Sequence, residues 1–264
     1  MFYFSWLSVC IVLAWFVFSF LFWRSVRRLG IGEDTTFDLT FYATLVAIVM
    51  ARVGFIAFHF DLFAGKSPLL FVALWVAPGL SWTGAFVGAI ATIVFLARQY
   101  KVRLGQILDA LVFALPLSFI IGAVGTLLDG NQMGKASTLP WAINARHPIE
   151  LYQMVGMLIL SLVFLKIASV AQRNKWPYGI VSVWFIFFYS LTMFLIEFTK
   201  ESRVYFGHIA PNQWVSIAII AECIGVLYVR GGGREFGRSL FRFVKTNLKK
   251  VGDHIYATVS KRRS

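Results

Sequence analysis

Charge is scarce in this chain of 264 residues: Asp, Glu, Lys and Arg make up 14% of it, against about 25% in soluble domains. Carboxylates are the rarer sign, 12 Asp and Glu beside 25 Lys and Arg. Cysteine occurs twice, at Cys10 and Cys223. Both fall inside apolar runs, which excludes a disulfide framework, and no zinc-type spacing is present. Cys10 follows "LSV", and Val9 departs from the small residue that normally precedes a lipid-modified cysteine, so both cysteines read as packing residues. There is no Gly-rich phosphate loop and no internal repeat, which removes nucleotide-cradle and solenoid classes. No metal and no cofactor is expected. The start, "MFYFSW", lacks the basic segment of a cleavable signal peptide and leads into a core of about 20 residues, so it reads as a retained anchor.

What the chain has is apolar length. Hydrophobic residues are 59% of it, and a bilayer-spanning helix needs about 20 of them in a row. Such runs lie near 4–23, 37–60, 79–99, 106–128, 150–168, 179–198 and 213–229. An eighth stretch, "PLLFVALWVAP" (68–78), is too short to span and reads as interfacial or re-entrant. The expected fold is an all-α polytopic membrane protein: a seven-span domain over 1–229 and a basic tail over 230–264.

Basic residues orient membrane helices. Arg24, Arg27 and Arg28 follow the first span, Arg98, Lys101 and Arg103 the third, and Lys166, Arg173 and Lys175 flank the end of the fifth. Counting the tail, 19 of the 25 Lys and Arg fall on one side. Lys66, Lys135, Arg146, Lys200 and Arg203 fall on the other, and Arg52 lies within the second span. The pattern predicts the N-terminus outside and the C-terminus inside. The net charge of +13 is then an orientation signal, not a nucleic-acid footprint. In the tail, Leu240, Val244, Leu248 and Val251 recur at helical spacing, with Arg238, Arg242, Lys245, Lys249 and Lys250 on other faces. This predicts a helix lying on an anionic leaflet, the alternative being a solvated basic tail.

Ionisable residues inside spans are costly and usually functional. Arg52, His59, Asp109, Glu197 and Glu222 qualify. Arg52 reads either as an arginine capping carbonyls between helices or as a fixed cation for phosphate. Asp109 sits near the start of the fourth span, where a carboxylate suits the helix dipole or serves as a packing partner. Pro116 should bend that helix. Glu197 can pair locally with Lys200, while Glu222 lies near mid-depth and needs a partner. "RHPIELYQ" (146–153) starts the fifth span with Pro in its first turn and brings His147, Glu150 and Tyr152 together. "LLDGNQMGK" (127–135) ends the fourth span, so the two polar clusters are expected on the same face, where they could line one outward cavity.

The ordered set "ARVGF", "PGLSWTGA", "QILDALVFALP", "GAVGTLLDGNQMGK", "RHPIELYQ", "PYGIVSVWFIFFYSLTMFLIEF" and "NQWVSIAII" resembles the bacterial prolipoprotein diacylglyceryl transferase family over roughly residues 45–225. "RHPIELYQ" stands closest to that family's pattern, His-Pro-Ser-Gln-Leu-Tyr-Glu. The resemblance implies a multi-pass protein of the bacterial cytoplasmic (inner) membrane. It implies transfer of the diacylglyceryl group of phosphatidylglycerol to the lipobox cysteine thiol of a preprolipoprotein, with glycerol phosphate leaving. The implied partners are phosphatidylglycerol and the preprolipoprotein signal peptide. Arg52, Asp109, His147, Tyr152, Glu197 and Gln213 stand at matching positions. Asp109, His147, Tyr152 and Glu197 are the implied catalytic candidates, and Arg52, Lys135, Arg146 and Lys200 the candidate phosphate-binding cations. Elsewhere the chain departs. Thr83 replaces a histidine, Ala123 and Met193 replace arginines, Thr126 and Asp129 replace asparagines, and Asn131 replaces a glutamate. Two readings follow: a transferase using substitute cations, or a non-catalytic relative that binds phospholipid or lipoprotein. A transporter is disfavoured, because paired broken helices and an inverted repeat are not visible.

Overall fold

The computed structural model describes residues 5–67, 69–73, 76, 79–130, 134–201 and 209–230. The helices are α1 (Trp6–Arg28), α2 (Glu33–Phe58), the short α3 (Leu69–Val72), α4 (Trp82–Gln99), α5 (Leu104–Leu128), α6 (Ile149–Arg173), α7 (Ile180–Glu197) and α8 (Pro211–Arg230), with a 3-10 turn at Phe60–Leu62. All but α3 are long and apolar enough to cross a membrane. At 1.5 Å per residue they run roughly 27–39 Å. The seven expected spans are all present. α1 and α6 continue beyond their apolar runs to end on Arg28 and Arg173, where cations suit the helix C-terminus. Pairing among the described residues outside the helices is limited to isolated bridges.

Glycine sets two of the helix crossings. Gly84 and Gly88, a small-xxx-small pair, press α4 onto α2, and a Cβ at Gly84 would lie 2.2 Å from the Met50 carbonyl oxygen. Such pairs let membrane helices approach closely where lipid removes the hydrophobic drive. Gly125 does the same for α5 against α1, where its Cβ would meet Cys10 Cβ at 2.7 Å. One apolar core joins Phe22 and Val26 of α1 to Leu39, Leu96 and Ile107; a second joins Val112 to Met157, Phe164 and Phe185. Cys10 and Cys223 are buried free thiols. α5 runs on through Pro116, and Ser118 Oγ turns back to the Ala114 carbonyl at 2.9 Å.

Seven crossings leave the start of α1 and the end of α8 on opposite faces. The ends of α2, α5 and α7 and the starts of α4, α6 and α8 share the first face with the start of α1. The expected interfacial piece, 68–78, is described only in part; within it α3 folds back against the last turns of α2. The amphipathic pattern expected at Leu240–Val251 lies outside the described residues.

Candidate functional site

The first face is built around the connection from α5 to α6. Asn144 and Ala145 both take left-handed backbone angles, φ 51° and 56°, and Ile143 and Arg146 exchange backbone hydrogen bonds at 3.1 and 3.0 Å across them. This is the turn that two-residue hairpins favour. It folds residues 134–147 back on themselves. The Lys135 amide donates to the Thr199 carbonyl at 2.9 Å, and its carbonyl accepts the His147 amide at 3.0 Å. Lys135 is thereby fixed between the end of α7 and the start of α6. Gly134 is required beside it, since a Cβ there would lie 2.1 Å from the His147 carbonyl oxygen.

His147 Nδ1 lies 3.0 Å from Tyr152 Oη, and Trp141 Nε1 donates to the same oxygen at 3.0 Å. An indole N–H only donates. The phenol oxygen accepts there; with its own hydrogen on Nδ1 the imidazole hydrogen is on Nε2, and in the opposite tautomer Nδ1–H donates to the phenol oxygen. One turn along, Glu150 is buried at 7% exposure, and its Oε2 has no hydrogen-bond partner among the described residues. An orphaned buried carboxylate oxygen calls for an explanation, because leaving one unmet is costly. Two acids at the ends of α7 and its continuation are committed. Glu197 accepts from Asn212 Nδ2 at 2.8 Å and pairs with Lys200 Nζ at 3.0 Å, the local pair expected. Glu201 pairs with Arg146 at 2.9 Å, and Arg146 also donates to the Gly134 carbonyl at 3.1 Å. Lys135 has no ion-pair partner among the described residues.

Four of the expected residues thus meet here with Glu197: His147, Tyr152, Lys135 and Lys200, with Arg146 at the rim. Arg52 does something different. It is 8% exposed, and its guanidinium donates to the carbonyls of Phe71 (2.8 Å), Gly79 (3.0 Å) and Leu70 (2.7 Å), with the Phe63 ring 5.3 Å away. This is the carbonyl-capping alternative, and it holds the 69–81 connection against α2. Asp109 is at the far end of α5, roughly 30 Å by helix rise from Asp129. Its carboxylate accepts the Gly179 and Ser182 amides at 2.7 and 2.8 Å and so caps the start of α7. Gln213 closes the start of α8 through the Ala210 amide at 3.0 Å. Glu222 is exposed on α8 with no partner among the described residues. Arg203 and Asn131 lie outside the described residues. Sequence reasoning passed over Trp141, whose signal was its place in a short polar connection, and gave Glu150 no role of its own.

The prolipoprotein diacylglyceryl transferase profile matches residues 1–229, more of the chain than the motifs alone spanned. Curated relatives agree. The phosphatidylglycerol–prolipoprotein diacylglyceryl transferase of Aeromonas hydrophila is 31% identical over 245 residues, covering 85% of this chain and 87% of its own. The protein of the same name from Marinomonas is 33% identical over 222 residues, covering 78% and 80%, and that from Geobacter sulfurreducens is 30% identical over 216, covering 78% and 82%. The chain belongs to the prolipoprotein diacylglyceryl transferase family.

Proposed function

We propose that this protein transfers diacylglyceryl from phosphatidylglycerol to the lipobox cysteine thiol of a preprolipoprotein, at the outer face of a bacterial inner membrane. The basic-residue count supports an outward α1 start and an inward α8 end. The reaction forms a carbon–sulfur bond and breaks the bond from the glyceryl carbon to a phosphate oxygen. The thiol gives up its proton, and glycerol phosphate leaves with the electron pair. A cation must meet the phosphate, and a base must take the thiol proton.

One observation carries this assignment: the backbone of Lys135 is bonded on one side to Thr199 and on the other to His147. That joint holds the Lys135 backbone against His147, which supports Lys135, with no ion-pair partner among the described residues, as the phosphate cation beside the His147–Tyr152 pair. Lys135 meets the phosphate. In the tautomer whose Nδ1 accepts from the Tyr152 hydroxyl, the Nε2 hydrogen of His147 donates to the departing oxygen. Glu150 takes the thiol proton. Glu197 and Lys200 hold the end of α7, while Arg52 and Asp109 serve the scaffold. A specific observation also favours the non-catalytic reading: Arg146 and Lys200 are both neutralised by carboxylates, leaving fewer cations than a phosphate leaving group would use.

The test is transfer of labelled diacylglyceryl from phosphatidylglycerol to a lipobox peptide by the full chain in detergent. Lys135→Gln and His147→Ala should each lower the rate about a hundredfold, and Cys223→Ala should leave it unchanged. A folded wild-type protein that transfers nothing refutes the enzyme. Lys135-dependent phospholipid binding by that protein would establish the binding relative in its place.

A further inference from the structure

A second cavity lies away from this site. It measures about 1250 Å³, above the ~300–1,000 Å³ of ordinary ligand pockets. It opens between α1, α5, α6, α7 and α8 on the opposite face, where α8 ends. Its mouth holds Arg28, Arg103, Lys175 and Arg230. None of the four has an ion-pair partner among the described residues. Asp109 is the one carboxylate in the lining, and both its oxygens are occupied by the Gly179 and Ser182 amides. Deeper in, the lining turns apolar with Leu108, Phe113, Leu165, Ala168 and Val226. Phe113 is nine residues along α5 from Leu104, so the apolar wall reaches roughly 13 Å below the mouth.

We propose that this cavity binds one anionic phospholipid. Its phosphate sits among Arg28, Arg103, Lys175 and Arg230, and an acyl chain lies along the Phe113–Ala168 wall. Four cations with no ion-pair partner among the described residues, above an apolar slot, complement an amphiphile with a negative head. A zwitterionic phospholipid offers the same phosphate but brings its own ammonium into the cation cluster, so the net positive charge stays uncompensated. Residues 231–264 carry nine Lys or Arg against Glu235 and Asp253, a balance that does not complement four cations as an anionic head does. The wall is preformed. Gly105 lets α5 pass so close to the 176–179 connection that a Cβ would lie 2.7 Å from the Tyr178 carbonyl oxygen. The Tyr178 ring in turn carries the Arg103 guanidinium 5.7 Å from its centre.

Trp176 lines the cavity and reports on it. The full chain is placed in phosphatidylcholine nanodiscs and titrated with phosphatidylserine whose acyl chains are brominated. Quenching is read as the difference between wild type and Trp176→Phe, which isolates this site from the catalytic face. Wild type should quench at low mole fraction. The combined Arg28→Gln, Arg103→Gln, Lys175→Gln and Arg230→Gln protein should need at least tenfold more lipid. Ala168→Phe, which fills the slot and keeps every charge, should weaken quenching similarly and carries the test if the quadruple variant misfolds. Lys66→Gln, exposed on the other face, should leave the quenching unchanged. Equal quenching by brominated phosphatidylcholine, or wild-type quenching in folded Ala168→Phe, overturns the proposal.

Discussion

Asp129 at the end of α5 caps the start of α1: its carboxylate accepts Ser5 Oγ at 2.6 Å and the amides of Trp6 and Leu7 at 2.9 and 3.2 Å. The Ser5 hydroxyl foremost, then the two amides, hold the Asp129 carboxyl below the usual carboxylate range. A depressed carboxyl stabilises the fold above its unfolded pKa, and that stability is lost as pH falls through the folded value. Thermal unfolding in detergent should therefore show an acid limb below about pH 4 that is reduced in Asp129→Asn. At neutral pH the variant should melt lower than wild type. Identical acid limbs in the two proteins would remove Asp129 from the account.

Orientation has its own test. Cys10 and Cys223 are buried, so single introduced cysteines can be labelled selectively. Leu139→Cys lies in the exposed 134–147 connection and Lys101→Cys in the α4–α5 connection. In intact cells an impermeant maleimide should label the first and spare the second until the membrane is opened. The reverse pattern would invert the topology and move the candidate site to the inside.

The spans were legible because a bilayer imposes length and apolarity on each helix separately. The helix crossings were legible in principle, since Gly84 and Gly88 stand four apart in the sequence, but periodicity alone does not name the partner helix. The Glu197–Lys200 pair was readable because i,i+3 neighbours meet on any helix. The joint at Lys135 was not: it rests on a backbone bond to Thr199, 64 residues away, and backbone groups leave no trace in residue identity. The same holds for Asp109, whose partners are the amides of Gly179 and Ser182, and for the carbonyls that occupy Arg52.

Arg52 offers a stability prediction. Its guanidinium meets three carbonyls of the 69–81 connection in a buried setting, and hydrogen bonds to charged groups contribute about 1.5–3 kcal/mol each. Arg52→Gln shortens the side chain and removes the fork, so it should destabilise the protein by several kcal/mol in total, by order of magnitude. Arg52→Lys should rescue little, because one ammonium cannot span three acceptors. The measurement is thermal unfolding of both variants beside their transfer rates. A specific loss of phosphatidylglycerol KM in Arg52→Gln with unchanged melting would return Arg52 to the phosphate.

The last prediction concerns where the carboxylate of α6 sits. In the family pattern the motif places Gln ahead of Glu by three residues; here Glu150 precedes Gln153. Positions three apart share a helix face, so the acid has stayed on that face and moved about 4.5 Å toward the helix start. At that level its Oε2 lacks a partner among the described residues, which is what a base awaiting a thiol proton requires. Glu150→Gln should then lower transfer roughly a hundredfold, even though it brings the position into line with the family pattern. If the face is what matters, the combined Glu150→Gln, Gln153→Glu protein should recover most of the loss, with a shifted pH–rate profile because the carboxylate now sits a turn deeper. Full activity in Glu150→Gln alone would show that the acid takes no proton, and that His147 must serve as the base through the opposite tautomer.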